Sequence, residues 1–359
     1  MSRVAVLGAG GGGLSAVTEL TMRGFDCALW NRGEEAISRI IETGKFGCSG
    51  VLGTGETAPV LATRDLGAAL DGADVALVVL PTLAHAGVAR GLADVGWTGP
   101  VVLNPGQTGG ALEFRAVFQR LGAKLPPLVE FSTLTYVARK PAPDQVTTSG
   151  AAKSVRAAAL PGGDDALDWA KRLYPGVDVV RDVLFSSLSN TNLVLHPPGA
   201  ILGAAWVEQT GGDFTFYREG LTEGVARVMQ QLDDERRAVA AAFGHDVASL
   251  VGEMARIGTV EAGDAGLPLR EAISGGEANA RIMAPGSLNH RYYLEDFGHG
   301  LLPFTAIAAV AGVATPVASS LLGVGRALVG ETLFERGRNA AALGIEGLSI
   351  AGLLKIVRG

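Results

Sequence analysis

The sequence predicts a doubly wound parallel α/β sheet followed by an all-helical domain, and three observations carry that prediction. Short all-apolar runs alternate with helix-compatible segments through the first half, as parallel strands joined by crossover helices require. A glycine cluster follows the first of those runs at once. In the second half the alternation gives way to apolar residues at helical steps and to a long uncharged stretch. The expected domains are residues 1–185 and 186–359, and a chain of 359 residues is long enough for two cores.

Val4–Leu7 is a purely apolar run, the pattern of a strand buried on both faces. Gly8, Gly10 and Gly13 follow in G-x-G-x-x-G spacing, then a helix-compatible LSAVTELTMRG that stops at Gly24. The first glycine permits a tight turn, the second lets the backbone approach a pyrophosphate, and the third lets helix and strand pack closely. The helix N-terminus then offers amide protons to the anion. The spacing alone is weak evidence, but here a strand precedes it and a helix follows. A second strand, DCALW (26–30), arrives at the right distance. This is the pattern of a dinucleotide-binding Rossmann domain.

ADVALVVLP (73–81) and PVVLNPG (100–106) read as further strands, with helices expected at 83–95 and 110–122. LVEFSTLTYVARK (128–140) and SVRAAAL (154–160) extend the sheet, and DVVRDV (178–183) is strand-like too. Ligands bind beyond the carboxyl ends of such strands, which puts Pro81, Asn104, Gly106 and Gln107 around the cofactor. An NAD-preferring site carries an acidic residue where the second strand ends. This chain has Asn31 and Arg32 there, and no carboxylate before Glu34. A neutral Asn31 removes the repulsion against a 2′-phosphate and Arg32 can pair with it, so NADP is expected over NAD.

Residues 215–243 read as one amphipathic helix, with Phe216, Tyr217, Leu221, Val225, Met229 and Leu232 on its apolar face and Gly244 as its stop. No residue from Gly300 to Gly325 is charged, a length that can span a bilayer. Pro303 and Pro316 divide the stretch, so a buried helix pair is expected and no membrane span. The N-terminus enters a strand directly, without a basic-then-apolar leader. A net charge of −6 lacks the basic surplus that nucleic acid demands. Cys27 and Cys48 make neither a disulfide framework nor a metal-site spacing, so no metal is expected and a cytoplasmic setting fits.

With a nicotinamide cofactor carrying hydride, the protein must move a proton and hold the substrate, and a domain interface is the expected place for that substrate. Some dehydrogenases of this architecture use a lysine from the second domain as the acid. This chain has six lysines and none between Lys171 and Lys355. Histidine is the natural replacement. Of the five, His196 in NTNLVLHPPG (190–199) stands out, because Pro197 and Pro198 are expected to break a helix and present it. Asn190 and Asn192 are placed to orient a substrate carbonyl. His85 opens a first-domain helix, and His245 after Gly244 is expected in a solvated loop. The segment NHRYYLEDFGHGLLP (289–303) supplies a guanidinium fork for a carboxylate in Arg291 and a carboxylate to orient an imidazole in Asp296. A surface ion pair beside two tyrosines is the structural alternative.

Taken together, GAGGGG, VVLNPGQTGG, NTNLVLHPPG, FTFYREG with DDERRAVAAAFG, and RYYLEDFGHGLLP with GVATP resemble the octopine/nopaline (opine) dehydrogenase family over nearly the whole chain. The resemblance implies an N-terminal Rossmann domain, a helical catalytic domain, and reductive condensation of an amino acid with a 2-oxo acid by NADH or NADPH. It implies His196 as the catalytic histidine, with Arg291 and Asp296 as its supporting pair. The chain departs from the family at DFGHG (296–300), where a proline more often follows the acidic pair. Two other functions stay open: a 2-oxo or hydroxy acid reductase without an amine substrate, and a dinucleotide-sensing protein without turnover. The expected partners are small molecules, and a homodimer is compatible with the architecture.

Overall fold

The computed structural model describes the backbone of residues 1–359 and all side chains except those of 277, 278, 332 and 333. It consists of two compact units, one formed by Met1–Gly106 with Phe114–Val183, the other by Gln107–Glu113 with Leu184–Gly359.

The first unit holds strands β1 (Arg3–Leu7), β2 (Asp26–Trp30), β3 (Phe46–Gly50), β4 (Gly55–Thr57), β5 (Leu61–Thr63), β6 (Val75–Val78), β7 (Val101–Leu103), β8 (Leu128–Phe131), β9 (Tyr136–Ala142), β10 (Gln145–Ala151), β11 (Val155–Ala159) and β12 (Val177–Val179). Eight form one sheet in the order β12-β11-β8-β7-β6-β1-β2-β5. Its pairs are parallel except β8 with β11. The chain builds outward from β1 to β2 and β5, then restarts on the other side at β6. The carboxyl ends of β1 and β6 therefore form the switch point where such sheets bind ligands. Val4–Leu7, Val75–Val78 and Val101–Leu103 are fully buried, which is why these runs carry no polar residue.

The run 128–140 is not one strand. It leaves the large sheet at Phe131 and re-enters a second sheet, ordered β4-β3-β10-β9, at Tyr136. The crossing is pinned at Thr135, whose amide donates to Asn104 Oδ1 at 3.1 Å while Asn104 Nδ2 donates to its hydroxyl at 2.8 Å. The expected strand at 178–183 also ends early, at Val179, and a helix begins at Val183.

In the second unit the long helix runs Glu223–Ala242 and not from 215. Thr222 caps it, its hydroxyl accepting from the Val225 amide at 3.4 Å. Upstream, Glu219 Oε2 accepts from both the amide (2.6 Å) and the hydroxyl (2.7 Å) of Thr215, closing a tight loop that competes with helix. Phe216 and Tyr217 thus leave the helix. The uncharged stretch forms two helices, Leu302–Ala311 and Pro316–Val329, each with its proline in the first turn, where no amide proton is needed. Among the described residues no helix is long and apolar enough to cross a membrane.

Gln107–Glu113, expected with the sheet, packs instead into the helical unit. Arg338, fully buried, pairs with Glu113 at 2.8 Å and donates to the Thr108 carbonyl at 3.0 Å. Nearby His299 is also buried, and burial, followed by the Arg338 charge, pushes its pKa down to about 3. The folded chain therefore stays unprotonated at His299 while an unfolded histidine takes up a proton near its ordinary value of about 6.5. The stability this represents is present above pH ~6.5 and is lost as pH falls toward 3, at about 1.4 kcal/mol per pH unit. Urea unfolding at pH 7 and pH 5 should show wild type losing more stability than His299→Leu. Equal losses would mean that His299 is protonated in the native state.

Candidate functional site

At the switch point, Gly8 has φ +130°, and a Cβ there would lie 2.2 Å from the Val79 carbonyl oxygen. A Cβ on Gly13 would sit 1.7 Å from the Gly8 carbonyl oxygen, so helix Gly11–Met22 approaches β1 only because this residue is glycine. Gly10 is exposed and a Cβ there would meet nothing within 4 Å. The three glycines thus serve turn, ligand approach and packing as their spacing requires, and they fit a dinucleotide pyrophosphate at the helix N-terminus.

Asn31 joins this loop to the end of β2. Its Oδ1 accepts from the Ala9 amide at 3.2 Å and its Nδ2 donates to the Gly33 carbonyl at 2.9 Å. Arg32 is exposed, its Nη1 3.9 Å from where a Cβ on Gly87 would stand. The first acid beyond the strand, Glu34, is held by Arg64 at 2.9 Å, and Arg64 also donates to the Arg32 carbonyl at 3.3 Å. Arg64 and Glu34 thus neutralise each other, and Arg32 has no ion-pair partner among the described residues. Pro81 is exposed in the loop after β6. The Asn104 side chain, expected near the cofactor, is fully buried and bonds Thr135 through both its oxygen and its nitrogen. Gln107, at φ 55°, is buried and belongs to the second unit.

In the second unit, the two prolines do not break the chain at His196. Helix Asn192–Leu195 ends there, and helix Pro197–Leu202 begins at once, with His196 itself in helical conformation. Proline at the first position of a helix sacrifices no hydrogen bond, so the pair restarts the helix. His196 Nδ1 lies 2.7 Å from Asp296 Oδ2, with the histidine side chain 8% exposed and the aspartate fully buried. Asp296 Oδ1 is enclosed with no hydrogen-bond partner among the described residues. The imidazole stacks on Tyr292, centroids 3.8 Å apart at 22°.

The DFGHG segment begins with Asp296 itself. Phe297–Leu301 is a π-turn, closed by the Leu301 amide on the Asp296 carbonyl at 2.9 Å. Gly300, in this turn, packs against Leu193 of the helix that leads to His196: a Cβ there would lie 3.4 Å from Leu193 Cβ.

Arg291 is half exposed and pairs with Glu295 at 3.3 Å, not with Asp296. Asn190 is fully buried. Its Nδ2 donates to Thr108 Oγ1 at 3.1 Å and its Oδ1 accepts from the Asn192 amide at 3.0 Å, so it braces the turn. Asn192 is partly exposed. Sequence reasoning missed Tyr292, Tyr217 and Glu295. Burial and then Tyr292 push the Tyr217 hydroxyl well above its ordinary pKa, which keeps it protonated as a donor. The clustered aromatics of FTFY and RYY were the available signal, but helical periodicity had absorbed the first pair.

The family model for NAD/NADP octopine/nopaline dehydrogenase, alpha-helical domain, matches residues 179–329. An opine dehydrogenase from Arthrobacter sp. (strain 1C) is 33% identical over 356 residues, spanning 98% of each chain. This chain belongs to the opine dehydrogenase family. It is accordingly an NAD(P)-linked dehydrogenase acting on CH–NH donors. Among solved structures, octopine dehydrogenase with NADH and L-arginine superposes at a TM-score of 0.79 with 21% identity, covering 99% of this chain and 98% of that one. Yersinopine dehydrogenase with NADP+ gives 0.73 with 15% identity, covering 100% and 98%. Opine dehydrogenases thus share this pairing of a parallel-sheet domain with a helical one.

Proposed function

We propose that this opine dehydrogenase condenses the amine of an amino acid with a 2-oxo acid and reduces the resulting imine to a secondary amine, with NADPH as the preferred reductant. The observation that carries the reading is the buried His196–Asp296 pair at 2.7 Å. A carboxylate only accepts hydrogen bonds, so it holds the proton of the imidazole on Nδ1 and leaves Nε2 as the basic atom. Nε2 has no partner among the described residues. His196 then exchanges a proton with the carbonyl or amine centre, while Tyr292 fixes the plane of its ring. When bound, the nicotinamide supplies the hydride. Arg291 holds a substrate carboxylate: its guanidinium is half exposed, and the buried Glu295 that pairs with it at 3.3 Å steadies the fork while its exposed side is offered to the anion. The free thiols Cys27 and Cys48 suit a cytoplasmic setting.

NADPH oxidation by pyruvate or 2-oxoglutarate, measured over an amino-acid panel, tests the reaction. Oxidation should depend on the amine. Turnover with the oxo acid alone would replace the reading with a simple reductase. Arg291→Ala should raise the KM for the carboxylate substrate roughly tenfold or more while cofactor binding holds. A fall in thermal stability with unchanged KM would make the segment structural. At the other end of the reaction, Arg32→Ala should reduce the kcat/KM preference for NADPH over NADH, since Arg32 is the exposed cation beside a neutral Asn31. A preference for NADH that the substitution leaves unchanged would remove the 2′-phosphate from the account.

A further inference from the structure

The second sheet of the first unit lies over the glycine-rich loop. A Cβ on Gly11 would be 3.4 Å from Ala138 of β9. Two residues further along the same strand, Lys140 reaches across: its Nζ donates to the Ala9 carbonyl at 2.8 Å and to the Ala36 carbonyl at 2.7 Å. Ala9 is the middle residue of the Gly8–Gly10 turn, and its amide is the one that Asn31 holds. Lys140 therefore bridges the dinucleotide turn and the segment after β2, where the adenosine ribose of a G-x-G site is bound.

Lys140 also lines a cleft of about 420 Å³ formed by Gly33, Glu35 and Ala36 on one side and Pro141–Pro143 on the other. That is within the range of small-ligand sites, which starts at about 300 Å³. An ammonium has three donors, and two are used here on neutral carbonyls. Among the described residues no carboxylate lies within 4.0 Å of it. Burial pulls its pKa below the ordinary lysine value, with Asp144 opposing, so the charge sits where an anion would be a better counterpart than the two carbonyls.

We propose that Lys140, delivered by the accessory sheet, recognises the 2′-phosphate at the adenosine end of the cofactor. The inference rests on the NADPH reading and adds a residue far in sequence from the loop that usually decides it.

Calorimetric titration of the full-length protein with 2′,5′-ADP and with 5′-AMP isolates the 2′-phosphate, because the two ligands differ in nothing else. Wild type should bind 2′,5′-ADP the more tightly. Lys140→Met should weaken 2′,5′-ADP roughly tenfold, the value of one charge-assisted contact, and leave 5′-AMP within about twofold. Lys140→Gln keeps a donor for the two carbonyls without the charge, and it should show the same selective loss should the methionine variant fold poorly. Equal weakening of both ligands would overturn the proposal by making Lys140 a clamp for the loop. Unchanged affinities would overturn it as well. Failure of the NADPH reading would appear separately, as wild type that does not distinguish the two ligands, and it would take the Lys140 role with it.

Discussion

His196→Asn should lower kcat by roughly 10²–10⁴, the usual contribution of a positioned acid–base, with the fold and the cofactor Kd unchanged. Asparagine approximates the reach of Nδ1 toward Asp296 and keeps that carboxylate from being stranded. Neighbouring contacts are conserved in outline too, since an amide plane can lie against Tyr292, whose ring is 3.8 Å from the imidazole. What disappears is a group that can take up and return a proton at the position of Nε2. A variant within a few-fold of wild type would remove His196 from the chemistry and pass the proton to solvent or to Tyr217.

Asp296→Asn should cost nearly as much, roughly 10²–10³ in kcat, although the substituted side chain never touches substrate in this account. Asp296 is fully buried and its Oδ2 faces Nδ1 at 2.7 Å. An amide nitrogen placed there donates to Nδ1, which moves the imidazole proton to Nε2 and leaves no base where the account needs one. The two residues then act as a unit, so the double variant should be little slower than His196→Asn alone. Multiplied losses would mean that Asp296 acts on substrate independently. Retention of near wild-type kcat would show that the 2.7 Å contact is structural.

The glycine loop and the central strands were legible because their chemistry is local. An all-apolar run followed by G-x-G-x-x-G leaves few alternatives, and the positive φ of Gly8 and the close approach at Gly13 are what that spacing implies. Features decided by side chains distant in sequence were not legible. The turn at 132–135 depends on Asn104, and the placement of Gln107–Glu113 in the helical unit depends on Arg338, which lies more than two hundred residues away. Phe216 and Tyr217 satisfied helical periodicity, yet the bonds from Glu219 to Thr215 and the Thr222 cap won locally. Asn104 and Asn190 show the same limit at the site: they were expected to face cofactor and substrate, and both side-chain amides are engaged in bonds within the protein. At His196 the sequence pointed to a helix break, and the structure has none. The prolines start a helix there, and the carboxylate that meets the imidazole comes from Asp296, a hundred residues along the chain.

Delivery of the hydride to a carbon bonded to nitrogen leaves its mark in the product. Incubation with NADPH, a 2-oxo acid and a ¹⁵N-labelled amino acid, followed by mass spectrometry, should give a secondary amine that joins the two carbon skeletons. It should retain the label and match the NADPH consumed one for one. A hydroxy acid without nitrogen, formed in the same amount whether or not the amino acid is present, would contradict the account.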